Sequence, residues 1–237
     1  LWHVGSVPHL RADVIHVLPH DPSLFTQGLE IDSGTLYEST GKRGESVLRA
    51  KSLTTGRESA RVRLPDRFFG EGITLTEDRV WQLTWKSGTA ILRDRTDLGE
   101  IRRVDYRGEG WGLCSFADRL VMSDGTDELT FRDPDSFAER GSVSVRLGGE
   151  PVTELNELEC VDGSVWANVW RTDRIVRIDP NTGRVTAVVD ASGLLTTEQA
   201  DRAGVLNGIA ATEESGRFLL TGKNWPKMFR VRFVPVE

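Results

Sequence analysis

Three features of the 237-residue sequence predict an all-β chain built from five copies of one four-stranded unit. The first is a triplet of polar or aromatic residue, small residue, then Leu or Ile, with Glu157 once in the small residue's place. It occurs as "QGL" (27–29), "EGI" (71–73), "WGL" (111–113), "NEL" (156–158) and "NGI" (207–209). The second is its spacing. The triplet centres at 28, 72, 112, 157 and 208 lie 44, 40, 45 and 51 residues apart, near the period of about 40–45 residues that marks propeller blades. The third is the scarcity of helix among many short β-branched and aromatic runs. Together they predict a five-bladed β-propeller. A β-sandwich also has many short strands, but it gives no reason for a regular period.

Taken in chain order, "ADVIHVLP" (12–19) precedes the first triplet as "ARVRLP" (60–65) precedes the second, so it reads as an outer strand. Each triplet opens an innermost strand. A second strand follows in "LYEST", "VWQLTW", "LVMSDG", "VWANVW" and "FLLTGKNW", and a third in "SVLRAK", "AILRDR", "LTFRDP", "IVRIDP" and "MFRVRF". Asp-Pro and Asn-Thr-Gly segments punctuate these as turns. The fourth strand, "SARVRLP", "EIRRVDY", "GSVSVRL" or "RVTAVVD", occurs only four times. The C-terminal blade therefore lacks its outer strand, and the N-terminal strand completes it and closes the ring. One segment, "TTEQADRAG" (196–204), reads as helix from its Thr-x-Glu start and Gly stop. The whole of residues 1–237 is expected to be a single domain.

Composition narrows the partners. Thirty basic and 36 acidic residues are interspersed, without the single-sign field that steers nucleic acid or an anionic membrane. No apolar run approaches the roughly 18 residues of a membrane span, and "LWHVGSVPHL" lacks the sections of a signal peptide, which fits a trimmed mature form. Cys114 and Cys160 match no metal spacing or disulfide framework, and the expectation is two buried packing thiols, with pairing as the alternative. All four histidines (His3, His9, His16, His20) fall in the first twenty residues, away from the expected rim. No metal site is expected. "SDGTDE" (123–128) offers oxygens for a structural calcium, but it reads better as a solvated turn.

In a four-stranded antiparallel blade, the loop entering the innermost strand and the loop leaving the second lie on one face of the disc. The entering loops bring Phe25, Gln27, Phe69, Glu71, Glu109, Trp111, Asn156, Glu157 and Asn207. The leaving ends bring Glu38, Trp85, Asp124, Asn168, Trp170, Lys223, Asn224 and Trp225. Aromatic walls with a few convergent polar groups describe a pocket for a small molecule or a peptide end. Trp85 and Trp170 are in phase with Trp81 and Trp166, so each run leaves open which ring faces the funnel and which packs between blades. Gln27, Asn156 and Asn207 have the alternative of satisfying a backbone amide at a turn. Glu71 has no helix to cap and lies between glycines at the axis mouth, which points to function; Lys223, beside Trp225 and Pro226, points the same way.

These residues resemble the metal-independent glutaminyl cyclases of plants and bacteria, the glutamine cyclotransferases. The resemblance is carried by "FTQGLE", "YESTG", "FGEGIT", "LTW", "EGWGL", "LNELE", "VWANVW", "LNGIA" and "LTGKNWPKMF", and spans the chain from about residue 12. It implies a five-bladed propeller that converts the N-terminal glutamine of peptides or proteins to pyroglutamate with release of ammonia, without a cofactor. It implies Glu71 as the catalytic acid/base, Lys223, Gln27 and Asn156 as further catalytic residues, and Phe25, Phe69, Trp85, Trp111 and Trp170 as the substrate pocket. A secreted or periplasmic location is implied by the family only, and a monomer is expected. Two other readings stay open: a non-catalytic propeller that binds peptide ends, and a calcium-dependent, lactonase-like propeller hydrolase.

Overall fold

The computed structural model describes residues 7–237, whose regular secondary structure is β apart from one turn of helix; His3 lies outside the described residues. β1 (His9–Pro19) leads into β2 (Thr26–Asp32), β3 (Thr35–Thr40), β4 (Val47–Ser52) and β5 (Glu58–Arg63). A second unit holds β6 (Gly70–Leu75), β7 (Arg79–Thr84), β8 (Thr89–Asp94) and β9 (Glu100–Asp105). The third holds β10 (Leu113–Ser115), β11 (Leu120–Ser123), β12 (Glu128–Arg132) and β13 (Glu139–Ser144). A small hairpin, β14 (Arg146–Leu147) and β15 (Glu150–Pro151), precedes β16 (Leu155–Val161), β17 (Ser164–Val169), β18 (Arg174–Ile178) and β19 (Val185–Asp190). After α1 (Thr197–Ala200) come β20 (Leu206–Ala211), β21 (Arg217–Gly222) and β22 (Lys227–Pro235).

Successive strands within each unit pair antiparallel. β1 pairs antiparallel along β22, from Leu10 with Pro235 to Pro19 with Lys227. Its residues 9–11 also pair in parallel with residues 188–190 of β19, which joins two units into one eight-stranded sheet. Burial falls from the inner strand outward: β6 is buried at every position, whereas β9 is almost wholly exposed. The architecture is propeller-like, and the apolar core is divided among the interfaces between units. Val121 and Leu129 pack on Leu158 and Val176, for example, and Leu29 and Leu36 pack on Ala210, Leu219 and Met228. Trp81 and Trp166 fill such interfaces, against Phe137 at 4.8 Å and Phe218 at 5.0 Å.

Two expectations need correction. The helix is a single turn, shorter than 196–204, and its capping box links Thr196 to Gln199 and not to Glu198. Cys114 and Cys160 are not free thiols but a disulfide, with Cα atoms 5.4 Å apart. They sit on β10 and β16, the inner strands of units three and four. Their separation of 46 residues is close to one repeat, so the repeat itself brings them face to face.

His20 is also not isolated. It is buried just beyond β1, its Nε2 2.6 Å from Glu38 Oε2 on β3 and its Nδ1 2.6 Å from the Trp225 carbonyl. Glu38 further accepts from Arg49 Nη2 at 2.8 Å and Thr26 Oγ1 at 2.8 Å. Burial pushes the Glu38 carboxyl up, but His20, Arg49 and Thr26 together outweigh it and hold it at about 2. This network ties the chain entering unit one to the loop that carries Lys223.

Because its folded pKa of about 2 lies below the ordinary glutamate value of 4.5, Glu38 contributes stability that is present above about pH 4.5 and lost as pH falls towards 2. Glu38→Gln should therefore lower stability by roughly 3 kcal/mol at neutral pH, and the gap from wild type in urea unfolding should narrow below pH 4.5. Replacing both cysteines by alanine should cost about 4 kcal/mol in loop-closure arithmetic for a 46-residue separation; an unchanged urea midpoint would contradict the covalent link.

Candidate active site

Four of the five inner strands share one irregularity. Register shifts fall between Thr26 and Gly28 in β2, Gly70 and Ile73 in β6, Leu155 and Leu158 in β16, and Leu206 and Ile209 in β20. A bulge leaves its extra residue unpaired and re-aims the side chain. The residues caught there are Gln27, Glu71 with Gly72, Asn156 with Glu157, and Asn207 with Gly208, so the first member of each of these triplets lies at its shift. The glycines flanking Glu71 answer a second demand, close approach of neighbouring strands. A Cβ on Gly72 would lie 2.7 Å from both the Leu113 amide nitrogen and the Trp111 carbonyl oxygen, and Gly72 N donates to that carbonyl at 2.8 Å.

The bulged backbone is held from the second strands. Ser39 Oγ donates to the Glu71 carbonyl and Ser123 Oγ to the Asn156 carbonyl, at 2.5 and 2.6 Å. Behind Ser39 stand Gln82, whose Nε2 donates to it at 3.0 Å, and Arg93, whose Nε donates to Gln82 Oε1 at 2.9 Å. These supports escaped the sequence reading. The one available signal was a serine recurring in the second strand roughly 32 residues before the bulge it serves.

The nine site residues that the family resemblance implies all line one cavity of about 250 Å³. Its wall can be followed as a circuit. Phe25 packs edge-on to Phe69 at 6.1 Å, Phe69 on Trp85 at 5.2 Å, and Trp111 edge-on to Trp170 at 5.3 Å. Lys223 bridges the other side, its Nζ 4.6 Å from the Phe25 ring centre and 5.9 Å from that of Trp170. Trp85 and Trp170 follow the last residues of β7 and β17, so they escape the alternation that sends Trp81 and Trp166 between units.

Three polar groups inside this wall are underused. Glu71 is 4% exposed, yet its carboxylate has no hydrogen bond or ion pair with any described residue. Burial pushes its pKa well above the ordinary range; Lys223 pulls it down and Glu109 adds to the rise. Lys223 is buried too, which lowers its pKa against the opposing pull of Glu71. The buried Oδ1 of Asn156 has no partner. Gln27 is partly committed: its Oε1 accepts from Asn207 Nδ2 at 3.1 Å, leaving its Nε2 free.

Several rim residues expected from the sequence are not in the cavity. Glu157 accepts from the Leu29 and Ile209 amides at 3.1 and 2.8 Å and so ties two inner strands together. Asn207 stands behind Gln27, Glu38 belongs to the His20 network, and Asn168 accepts from the Gly208 amide at 3.0 Å. Trp225 donates to the Gly204 carbonyl at 2.9 Å inside an apolar cluster, and Asn224 donates to Pro22. Asp124 closes its own turn on Thr126.

The fold and site define a propeller-like protein with an aromatic pocket around an unpartnered acid and an unpartnered base. Comparison with known proteins gives the family. The glutamine cyclotransferase model matches residues 2–233, and the chain belongs to that family. It is 37% identical over 226 residues to the glutaminyl-peptide cyclotransferase of Arabidopsis thaliana, covering 93% of this chain and 70% of that protein. It superposes on the crystal structure of Myxococcus xanthus glutaminyl cyclase with a TM-score of 0.87 at 40% identity, over 98% of this chain and 100% of that one. BamB from Moraxella catarrhalis, at a TM-score of 0.53 and 12% identity over 94% of this chain and 100% of its own, shares the fold alone.

Gly72→Ala tests the packing that places the acid. The added carbon meets backbone of the next unit, which cannot rotate away, so a loss of about 1–3 kcal/mol is expected in urea unfolding; a neutral result would show that units two and three are not held at this separation.

Proposed function

We propose that this chain is a glutaminyl-peptide cyclotransferase that closes the N-terminal glutamine of peptides or proteins to pyroglutamate and releases ammonia. The observation that carries the reading is the desolvated, unpartnered Glu71 carboxylate inside a pocket sized for one residue, in a chain of this family.

The α-amine of glutamine attacks its own side-chain carbonyl carbon, so the pocket has to select the folded-back conformer and move protons. A free α-amine has a pKa near 7.7–8.0 and is largely protonated at neutral pH, so the ammonium form first loses its extra proton to solvent and the neutral amine is the species that attacks. Glu71, made proton-avid by burial, takes one proton from the amine as the N–C bond forms. It returns that proton to the amide nitrogen, which leaves as ammonia when the C–N bond breaks. The proton count closes without an external acid. Lys223, its ammonium held against two ring faces, donates to the amide oxygen as negative charge grows there. Gln27 Nε2 and Asn156 Oδ1 supply a donor and an acceptor that orient the substrate, and the five aromatics exclude water. These steps use protein groups alone.

The same reading takes the four-stranded units, with β1 as the outer strand of the last, as five blades of one closed propeller spanning residues 1–237. The core shared by Leu29, Leu36, Ala210, Leu219 and Met228 supports closure. The Cys114–Cys160 disulfide supports export to an oxidising compartment, and no described helix is long and apolar enough to cross a membrane.

An ammonia-release assay on a short Gln-initiated peptide tests the activity. Wild type should turn over after prolonged chelation. Glu71→Gln should keep its fold and bind the peptide while kcat falls by about 10²–10⁴-fold. After the amine's own titration is factored out, the acidic limb of kcat/KM should lie above the ordinary glutamate range, because the raised pKa delays ionisation of Glu71. Binding without ammonia release by wild type would make the chain a recognition module.

A further inference from the structure

The aromatic circuit is broken at two places, one bridged by Lys223 between Phe25 and Trp170 and the other between Trp85 and Trp111. Trp85 and Trp111, on units two and three, have no ring contact with each other, and the space between them is spanned by Glu109. A single oxygen, Oε2, accepts from Trp85 Nε1 and from Trp111 Nε1, both at 2.9 Å. Its other oxygen lies 3.8 Å from Lys86 Nζ, which itself covers the Trp85 ring at 4.4 Å. Glu109 does not line the cavity, and its side chain is 38% exposed.

We infer that Glu109 is a positioning residue for the glutamine pocket: one carboxylate oxygen clasps the two indoles that form neighbouring stretches of its wall, and its charge acts on Glu71. The inference rests on the cyclotransferase reading above. An indole N–H is a donor only, and without Glu109 both would turn to water or to the cavity. Each ring pivots about its two side-chain torsions, and a fixed N–H removes that freedom. One acceptor for two rings also makes their positions mutually dependent, so the pocket width across units two and three is set by one atom. The second consequence is electrostatic. The charged or titratable groups around Glu71 are Lys223, Glu109 and Tyr106. Lys223 favours the ionised acid, whereas Glu109 disfavours it and so strengthens its hold on the proton it must carry. Lys86 is the cation beside Glu109 and lies on the solvent side.

Two substitutions separate the clasp from the charge. Glu109→Ala removes both. Glu109→Gln keeps an amide oxygen with two lone pairs for the indoles but removes the charge. Ammonia release from a Gln-initiated peptide is measured across pH, with tryptophan emission and thermal unfolding recorded on the same proteins. Glu109→Ala should raise KM roughly tenfold, equivalent to about 1.4 kcal/mol, and shift the emission to the red while remaining folded. Glu109→Gln should keep KM and emission near wild type but move the acidic limb of kcat/KM to lower pH. Wild-type KM and emission in Glu109→Ala would overturn the clasp. So would an equal loss in Glu109→Gln, since the retained acceptor should rescue it. An unmoved acidic limb in Glu109→Gln would overturn the electrostatic part. If wild type itself releases no ammonia, the activity reading fails, and the emission arm still decides whether Glu109 holds the two indoles.

Discussion

Much of this molecule follows from how closely its inner strands approach one another. Where Gly72 meets the Trp111 carbonyl and the Leu113 amide, there is room for hydrogen and nothing larger. Strands forced so near cannot all keep regular register, and four of them bulge at the same point. The bulge converts a crowding problem into a directional one. It releases Gln27, Glu71 and Asn156 from the sheet's alternation and sends them to a shared mouth, while serines from the second strands lock the released carbonyls. The acid and the two amide side chains therefore sit on strands, with the aromatic wall and Lys223 on the adjoining connections, which suits chemistry that depends on placing two nitrogens and one acid.

The electrostatic cost of the site is borne elsewhere in the fold. Other buried carboxylates are satisfied: Glu38 by His20, Arg49 and Thr26, and Glu157 by two backbone amides. Burial raises the Glu157 carboxyl as well, but Glu71 and Lys223 differ in being buried without comparable partners, each displaced in pKa against its charged form. Groups left in that condition lower stability and are kept where function needs them. The disulfide between β10 and β16 and the Glu38 network offset the loss by covalent and ionic ties between neighbouring parts of the fold.

The repeat made much of this legible before any coordinates. Triplet spacing defined the units, and position within the unit brought seventeen candidates to one face, from which the family resemblance picked out the nine that line the cavity. What stayed hidden was what spacing does not encode. The sequence shows that Glu157 and Glu71 occupy neighbouring places in their triplets, but not that one bonds two amides while the other bonds none. Pairing of the two cysteines is only the alternative reading of the sequence, although their 46-residue separation is close to one repeat and places them on adjoining inner strands. The short hairpin β14–β15 and the single-turn helix lie in the connections between units, where the repeat imposes no pattern. His20 was set apart with the other histidines because its partners, on β3 and near the C-terminus, are distant in sequence.

The central claim is that burial without a partner keeps Glu71 proton-avid, so that one carboxyl both takes and returns a proton. Infrared difference spectra of wild type against Glu71→Gln, recorded as a function of pH, read that carboxyl directly through its protonated carbonyl stretch. The account predicts a protonated band that persists well above the ordinary glutamate value of 4.5. A band that titrates away at that ordinary value would contradict it, and would leave the amine without a matched acceptor in this pocket.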